Sequence, residues 1–164
     1  MIQIRRAREE DLPAITEIYN EAVRNTTATF DTLEKTHLDR LQWFQNRDEN
    51  FPVYVVEKAG KVAGYGALNK WSDKAGYNLT AEISLYIHAE YRGLGIGSQL
   101  IDFIVAASAE TNLHSIFSRI TEGNESSIHL HRKNGFEVCG ILKEAGYKFG
   151  RYLDVTIMQK MLRS

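Results

Sequence analysis

The chain has 164 residues, 43% hydrophobic and 25% charged, with a formal net charge of −1 and a pI of about 6.5. This is the composition of one globular domain with a real core, spanning residues 1–164; it excludes a disordered, collagen-like or membrane-spanning chain and gives no electrostatic basis for nucleic-acid binding. The lone Cys139 excludes an internal disulfide, and the opening MIQIRRAREED is charged where a secretory leader is apolar, so a cytoplasmic protein is expected.

Residues 2–7 (IQIRRA) alternate as a short strand. Asp11 is placed to cap a helix with Pro13 in its first turn and Leu12, Ile15, Ile18, Tyr19 and Ala22 on its apolar face. The Thr-rich stretch 25–36 lacks a helical period and reads as a loop. Thr36 then opens a second helix, with Asp39 three residues on and Leu38, Leu41 and Phe44 facing inward. VYVVE (53–57) and VAGYGALN (62–69) flank KAGK as a hairpin, in which Gly64 and Gly66 let neighbouring backbones approach.

After a loop at 70–80, TAEISLYIH (80–88) reads as a strand with Ala81, Ile83, Leu85 and Ile87 on one face. A glycine-rich turn leads into an amphipathic helix from about Gly97 to Glu110. SIFSRIT (115–121) is a strand, and ESSIHLHRKN (125–134) is a helix closed by Gly135. FEVCGILKEA and DVTIMQKML end the chain as two strands around a polar turn. The order β-α-α-β-β-β-α-β-α-β-β predicts an α/β fold, with βαβ crossovers in a mixed sheet.

The turn YRGLGIGS (91–98) carries the chemistry. A strand, a glycine-rich turn and a helix start together make an anion site. Unpaired amides point outward, the helix dipole adds positive potential, and missing side chains allow close approach. A Walker A loop needs Gly-Lys-Ser/Thr, and this stretch has no Lys. A Rossmann fingerprint needs a third glycine where Ser98 or Leu100 stands.

What remains is Arg92-x-x-Gly95-x-Gly97, which resembles the pyrophosphate arm of the GNAT family of N-acetyltransferases. Asn124-Glu-Ser-Ser127, His131 and Gly135-Phe136 are similar to that family's later segment, and the element order above is the family's own. IYNEAV, TAEISLYIH, LHRKNGF and AGYKFGRYLDV resemble the phosphinothricin and methionine sulfoximine acetyltransferases. The resemblance implies acetyl-CoA as co-substrate. Arg92, Gly93, Leu94, Gly95, Ile96, Gly97 and Ser98 would hold its pyrophosphate, and the backbone of Leu85, Tyr86 and Ile87 its pantetheine arm, as an added strand. Asn124 and Ser127 would touch the same arm, although Asn124 also reads as a helix cap.

Amide formation from a thioester needs a neutral amine, and an α-amine with pKa near ~8 is largely protonated at pH 7. A base must remove a proton, an N–H must hold the oxyanion, and the thiolate benefits from a nearby acid. Glu82, on the strand before the phosphate turn, is the expected base, as the resemblance implies. His131 is the expected general acid or second base, and it can face the sheet three residues after Ile128. His129 reads as surface, and Cys139 as a buried small hydrophobe rather than a nucleophile. No Cys/His spacing suggests a metal.

Phe30, Trp71, Tyr77 and Asn78, from the two long loops, are candidates for an acceptor pocket. Some relatives carry Trp-Arg in the second loop, with an arginine suited to a carboxylate, where this chain has Trp71-Ser72-Asp73-Lys74. The expected reaction is therefore acetyl transfer to the amine of a small amino-acid analogue, such as methionine sulfoximine, methionine sulfone or phosphinothricin. A protein N-terminus, a polyamine, or a non-catalytic acyl-CoA-binding sensor are the alternatives. A homodimer is implied by resemblance alone.

Overall fold

A computed structural model describes residues 1–163. Seven strands form one mixed sheet in the order β1-β2-β3-β4-β5-β7-β6. They are β1 (Ile2–Arg6), β2 (Val53–Lys58), β3 (Lys61–Lys70), β4 (Thr80–Ile87), β5 (Ser115–Thr121), β6 (Glu137–Lys148) and β7 (Arg151–Met161). Helices α1 (Leu12–Asn25) and α2 (His37–Gln45) precede β2, α3 (Ile96–Ser108) joins β4 to β5, and α4 (Glu125–Lys133) joins β5 to β6.

The sheet separates two apolar cores. On one face Leu12, Ile15, Ile18 and Val23 of α1 cover Val53, Val55, Tyr65 and Ala67. On the other, Ile96, Leu100, Ile101 and Ile104 of α3 cover Val56, Ala81, Ile83, Ile116 and Ile120. The alternation along β2 and β4 thus serves both layers. Fully burying one such aliphatic side chain contributes about 1.5–3 kcal/mol, so helices and sheet hold each other.

The first crossover is a βαβ unit, since β4 and β5 are parallel neighbours. The second is not one between neighbours: β7 inserts beside β5, and β6 lies at the edge beyond it. Strands β6 and β7 run longer than their apolar pattern suggests, to a tight turn at Phe149 and Gly150 with φ of +53° and +76°. Cross-strand contact of Tyr147 with Tyr152, ring centroids 4.9 Å apart, extends the ladder through the expected polar turn.

Two local expectations are corrected. Asp11 does not cap α1 with its side chain. Its carboxylate instead receives the Arg8 amide at 2.7 Å and both terminal nitrogens of Arg5, and that pairing holds it below the usual carboxylate range. In α2 the capping box of Thr36 and Asp39 forms. Leu38, however, is exposed, and Arg40 takes the buried face. The Arg40 guanidinium lies 4.3 Å from the ring centroids of both Tyr19 and Trp43, and it donates to the Tyr65 hydroxyl at 2.7 Å. Stacking on aromatic faces desolvates a guanidinium at lower cost than an ammonium.

Candidate active site

The site starts from a broken ladder. Strands β4 and β5 pair only from Thr80↔Ser115 to Glu82↔Phe117. Beyond that point β5 stays with β7 as far as Thr121, while β4 stays with β3 as far as Ile87. The strands diverge, and the β5-facing edge of Ile83–Ile87 has no strand partner among the described residues. A cavity of about 680 Å³ occupies the gap, reached by Glu82, Leu85, Arg119, Asn124, Ser127 and His131.

At the C-terminal end of β4 the chain passes Arg92 and enters the glycine turn. Gly93 and Gly95 have φ of +80° and +79°, in the left-handed region where a side chain is strained. Gly95 is the N-cap of α3, and no side chain caps that helix. The leading N–H groups of α3 are therefore left for an anion. A Cβ at either glycine would meet no protein atom within 4 Å, so packing of the chain does not demand glycine there. The backbone geometry and open space fit a pyrophosphate, and the free edge of β4 fits an extended amide-bearing arm. Ile96 is a core residue and Leu94 is exposed. The Arg92 guanidinium turns back to Glu21 at 2.9 Å and to the Ile87 carbonyl at 3.2 Å, tying the turn to α1 and β4.

Glu82 lies opposite the core-facing Ala81 and Ile83, and lines the cavity. Its two carboxylate oxygens receive Nε and Nη2 of Arg119, from β5. Glu82 is 16% exposed and Arg119 56%. His131 is buried at the inner face of α4. Its Nδ1 stands 2.7 Å from the Ser127 carbonyl, which can only accept, so Nδ1 carries the proton. Burial pushes the imidazole below its usual pKa and favours the neutral ring. Nε2 then offers a lone pair, is buried, and has no hydrogen-bond partner among the described residues. Asn124 caps α4 by accepting the Ser127 amide at 3.2 Å and also reaches the cavity.

The opposite wall is the loop after α1. Phe30 lies in it and lines the cavity, with Thr29 and Asp31. Lys148 of β6 donates to the carbonyls of Thr26 and Thr29 at 2.7 and 2.8 Å, and Thr121 donates to that of Thr27 at 2.8 Å. The Phe30 ring occupies the space above Gly146 where a side chain would stand. Tyr86 turns its ring onto Tyr19 and Tyr65, leaving its backbone on the free edge. Trp71, Tyr77 and Asn78 do not line the cavity. Trp71 instead stacks on Phe117, centroids 4.9 Å apart, and Tyr77 and Asn78 are exposed. Cys139 is exposed on β6, not buried as its composition suggested, because β6 is the edge strand. Arg119, Lys148 and Gly146 escaped the sequence reading, since their roles come from partners far along the chain.

A mixed sheet whose parallel central strands part beside an uncapped helix, with a carboxylate and an imidazole in the gap, is an acyl-CoA-dependent transferase architecture. Residues 4–157 match the acetyltransferase (GNAT) domain model, and the chain belongs to that family as an acetyl-CoA-dependent N-acetyltransferase. The L-methionine sulfoximine/L-methionine sulfone acetyltransferase of Pseudomonas aeruginosa is 40% identical over 158 residues, covering 95% of this chain and 92% of that protein. YncA of Salmonella typhimurium, solved with its cofactor acetyl-CoA, superposes with a TM-score of 0.95 at 36% identity, covering 99% of this chain and 95% of that one. A ribosomal-protein-alanine N-acetyltransferase from Brucella melitensis superposes with a TM-score of 0.93 at 42% identity, covering 97% and 99%. No helix among the described residues is long and apolar enough to cross a membrane.

Proposed function

We propose that this protein acetylates the α-amine of a small amino-acid analogue, of the kind of methionine sulfoximine, methionine sulfone or phosphinothricin. The carrying observation is that Glu82, Arg119 and His131 line one cavity, at the gap between β4 and β5. Acetyl-CoA supplies the activated acyl group along the free edge of β4. The acceptor enters from the side of Phe30 and Glu82. Its ammonium is paired by Glu82, which also draws off the proton that frees the nitrogen lone pair. The amine attacks the thioester carbonyl, the carbon–nitrogen bond forms, and the carbon–sulfur bond breaks with its electron pair on sulfur. Nε2 of His131 accepts the second nitrogen proton, and that proton is available for the departing thiolate. No covalent enzyme intermediate is involved.

The Brucella relative favours a second reading, transfer to a protein N-terminus. The enclosing loop of Phe30, tied down by Lys148, favours a small acceptor instead. We further assign the protein as a single domain over residues 1–164, cytoplasmic on its cysteine usage. A homodimer would cover the exposed Ile141, Leu142, Tyr147, Phe149 and Tyr152 of the β6–β7 hairpin. The test is thiol release from acetyl-CoA with methionine sulfoximine, methionine sulfone, phosphinothricin, spermidine and an N-terminal peptide. Turnover on the first three that falls about 10²–10⁴-fold in Glu82→Gln is expected. Turnover on the peptide alone would overturn the acceptor assignment.

A further inference from the structure

We infer that Arg119 is the receptor for the acceptor's α-carboxylate, so that Glu82 and Arg119 together read a free α-amino acid as a zwitterion. The inference rests on the proposed small amino-acid acceptor. A guanidinium carries five N–H groups in a planar fork. Glu82 takes Nε and one hydrogen of Nη2. Nη1 and the other Nη2 hydrogen receive no protein acceptor among the described residues. They form a second fork, of the geometry that binds a carboxylate with two parallel hydrogen bonds.

That fork is presented where an acceptor must lie. Arg119 lines the same cavity as Glu82 and is 56% exposed. Its register is set by the last paired rung of β4 and β5: Phe117 faces Glu82, and Arg119 follows two residues on, on the same face. Its guanidinium also lies 5.8 Å from the ring centroid of Trp71, itself stacked on Phe117. Aromatic contact below and the Glu82 pair at one side hold the fork in a fixed direction. A preorganised arginine loses less entropy on binding than a free one.

The chemistry of the loop before β4 agrees. Asp73 and Lys74 are both exposed and neither lines the cavity, so that loop brings no cation to an acceptor carboxylate. With an α-amino acid bound, its ammonium meets the Glu82 carboxylate and its carboxylate meets the outer fork of Arg119. Each charge of the Glu82–Arg119 pair then meets an opposite charge of the bound amino acid. A polyamine would set a second ammonium against Arg119, and a peptide N-terminus has no carboxylate there. The same pair therefore selects free amino acids over both.

The test compares methionine sulfone with 3-(methylsulfonyl)propylamine, which has the same side chain and amine but no carboxylate. The readout is the ratio of their kcat/KM values in the wild type, Arg119→Gln and Arg119→Lys, with acetyl-CoA binding as the check of folding. Losing a two-pronged charged contact is expected to collapse the preference for the amino acid by about 10–100-fold in Arg119→Gln, with Arg119→Lys between. Any effect of Arg119 on Glu82 itself acts on both acceptors and cancels in the ratio. Calorimetric binding of methionine sulfone to the protein–CoA complex reads the same receptor without turnover, and Arg119→Gln should weaken it by a similar factor. If both acceptors lose equally, or the binding constant is unmoved, Arg119 only positions Glu82 and the inference fails. A wild type that acetylates the peptide but neither binds nor acetylates methionine sulfone would overturn the acceptor reading itself, and the inference with it.

Discussion

Replacing Gly146 by alanine should damage acceptor binding selectively, and the structure gives the reason. A Cβ built at Gly146 would stand 2.1, 2.2 and 2.5 Å from three ring atoms of Phe30. Carbon atoms touch at about 3.5–4.0 Å, so the ring must give by about 1.4 Å or more. The backbone cannot carry it away freely, because Thr26, Thr27 and Thr29 are each held by a hydrogen bond from Lys148 or Thr121. The remaining motion is rotation of the ring into the cavity. Overpacking of this kind costs about 1–3 kcal/mol, which for a chain of this size lowers Tm by roughly 2–12 °C. Thermal unfolding and steady-state kinetics on Gly146→Ala should show that loss, together with a raised KM for the acceptor and an unmoved KM for acetyl-CoA. An unchanged Tm with unchanged acceptor KM would refute the reasoning, as would an equal rise in both KM values.

Gly95→Asp places a charge and a strained φ at the head of α3; calorimetry should show CoA binding at least about tenfold weaker, and equal affinity would remove the pyrophosphate from this turn. His131 is neutral when folded, with its pKa lowered from 6.5, while the unfolded chain protonates near that value. Stability is therefore full above about pH 6.5 and falls as the pH drops toward the lowered folded value. His131→Gln should flatten that part of the Tm profile; an identical slope would assign the acid lability elsewhere. Arg40→Ala removes a buried side chain from between Tyr19 and Trp43 and unpairs the Tyr65 hydroxyl. A loss of about 2–4 kcal/mol in denaturant unfolding is expected, and a loss under about 0.5 kcal/mol would deny it a packing role.

Local signals were legible without the fold. Thr36 with Asp39, Gly135 behind α4, and the two-residue rhythm of β4 are contacts among near neighbours, so spacing alone reveals them. The pattern Arg92-x-x-Gly95-x-Gly97 belongs here too. The left-handed φ at Gly93 and Gly95 is written in the sequence as glycine. Burial by contrast misled at Leu38 and Arg40: helical spacing marks a face, but which face is inward depends on what covers it. Only the aromatic layer of Tyr19, Trp43 and Tyr65 makes a buried guanidinium acceptable there.

The sequence by itself determined the order of strands and helices and the glycine-rich turn before α3, and it offered Glu82 and His131 as the carboxylate and imidazole candidates. Each depends on residue type and short spacing. Only the tertiary structure decided that β7 inserts between β5 and β6, and that β4 and β5 part after Glu82. The same assembly brings Arg119 onto Glu82 across 37 residues and Lys148 onto Thr26 across 122. Those pairings are made by side chains whose neighbours in sequence carry no trace of the partner, because strand register sets which residues face each other and long-range packing sets register.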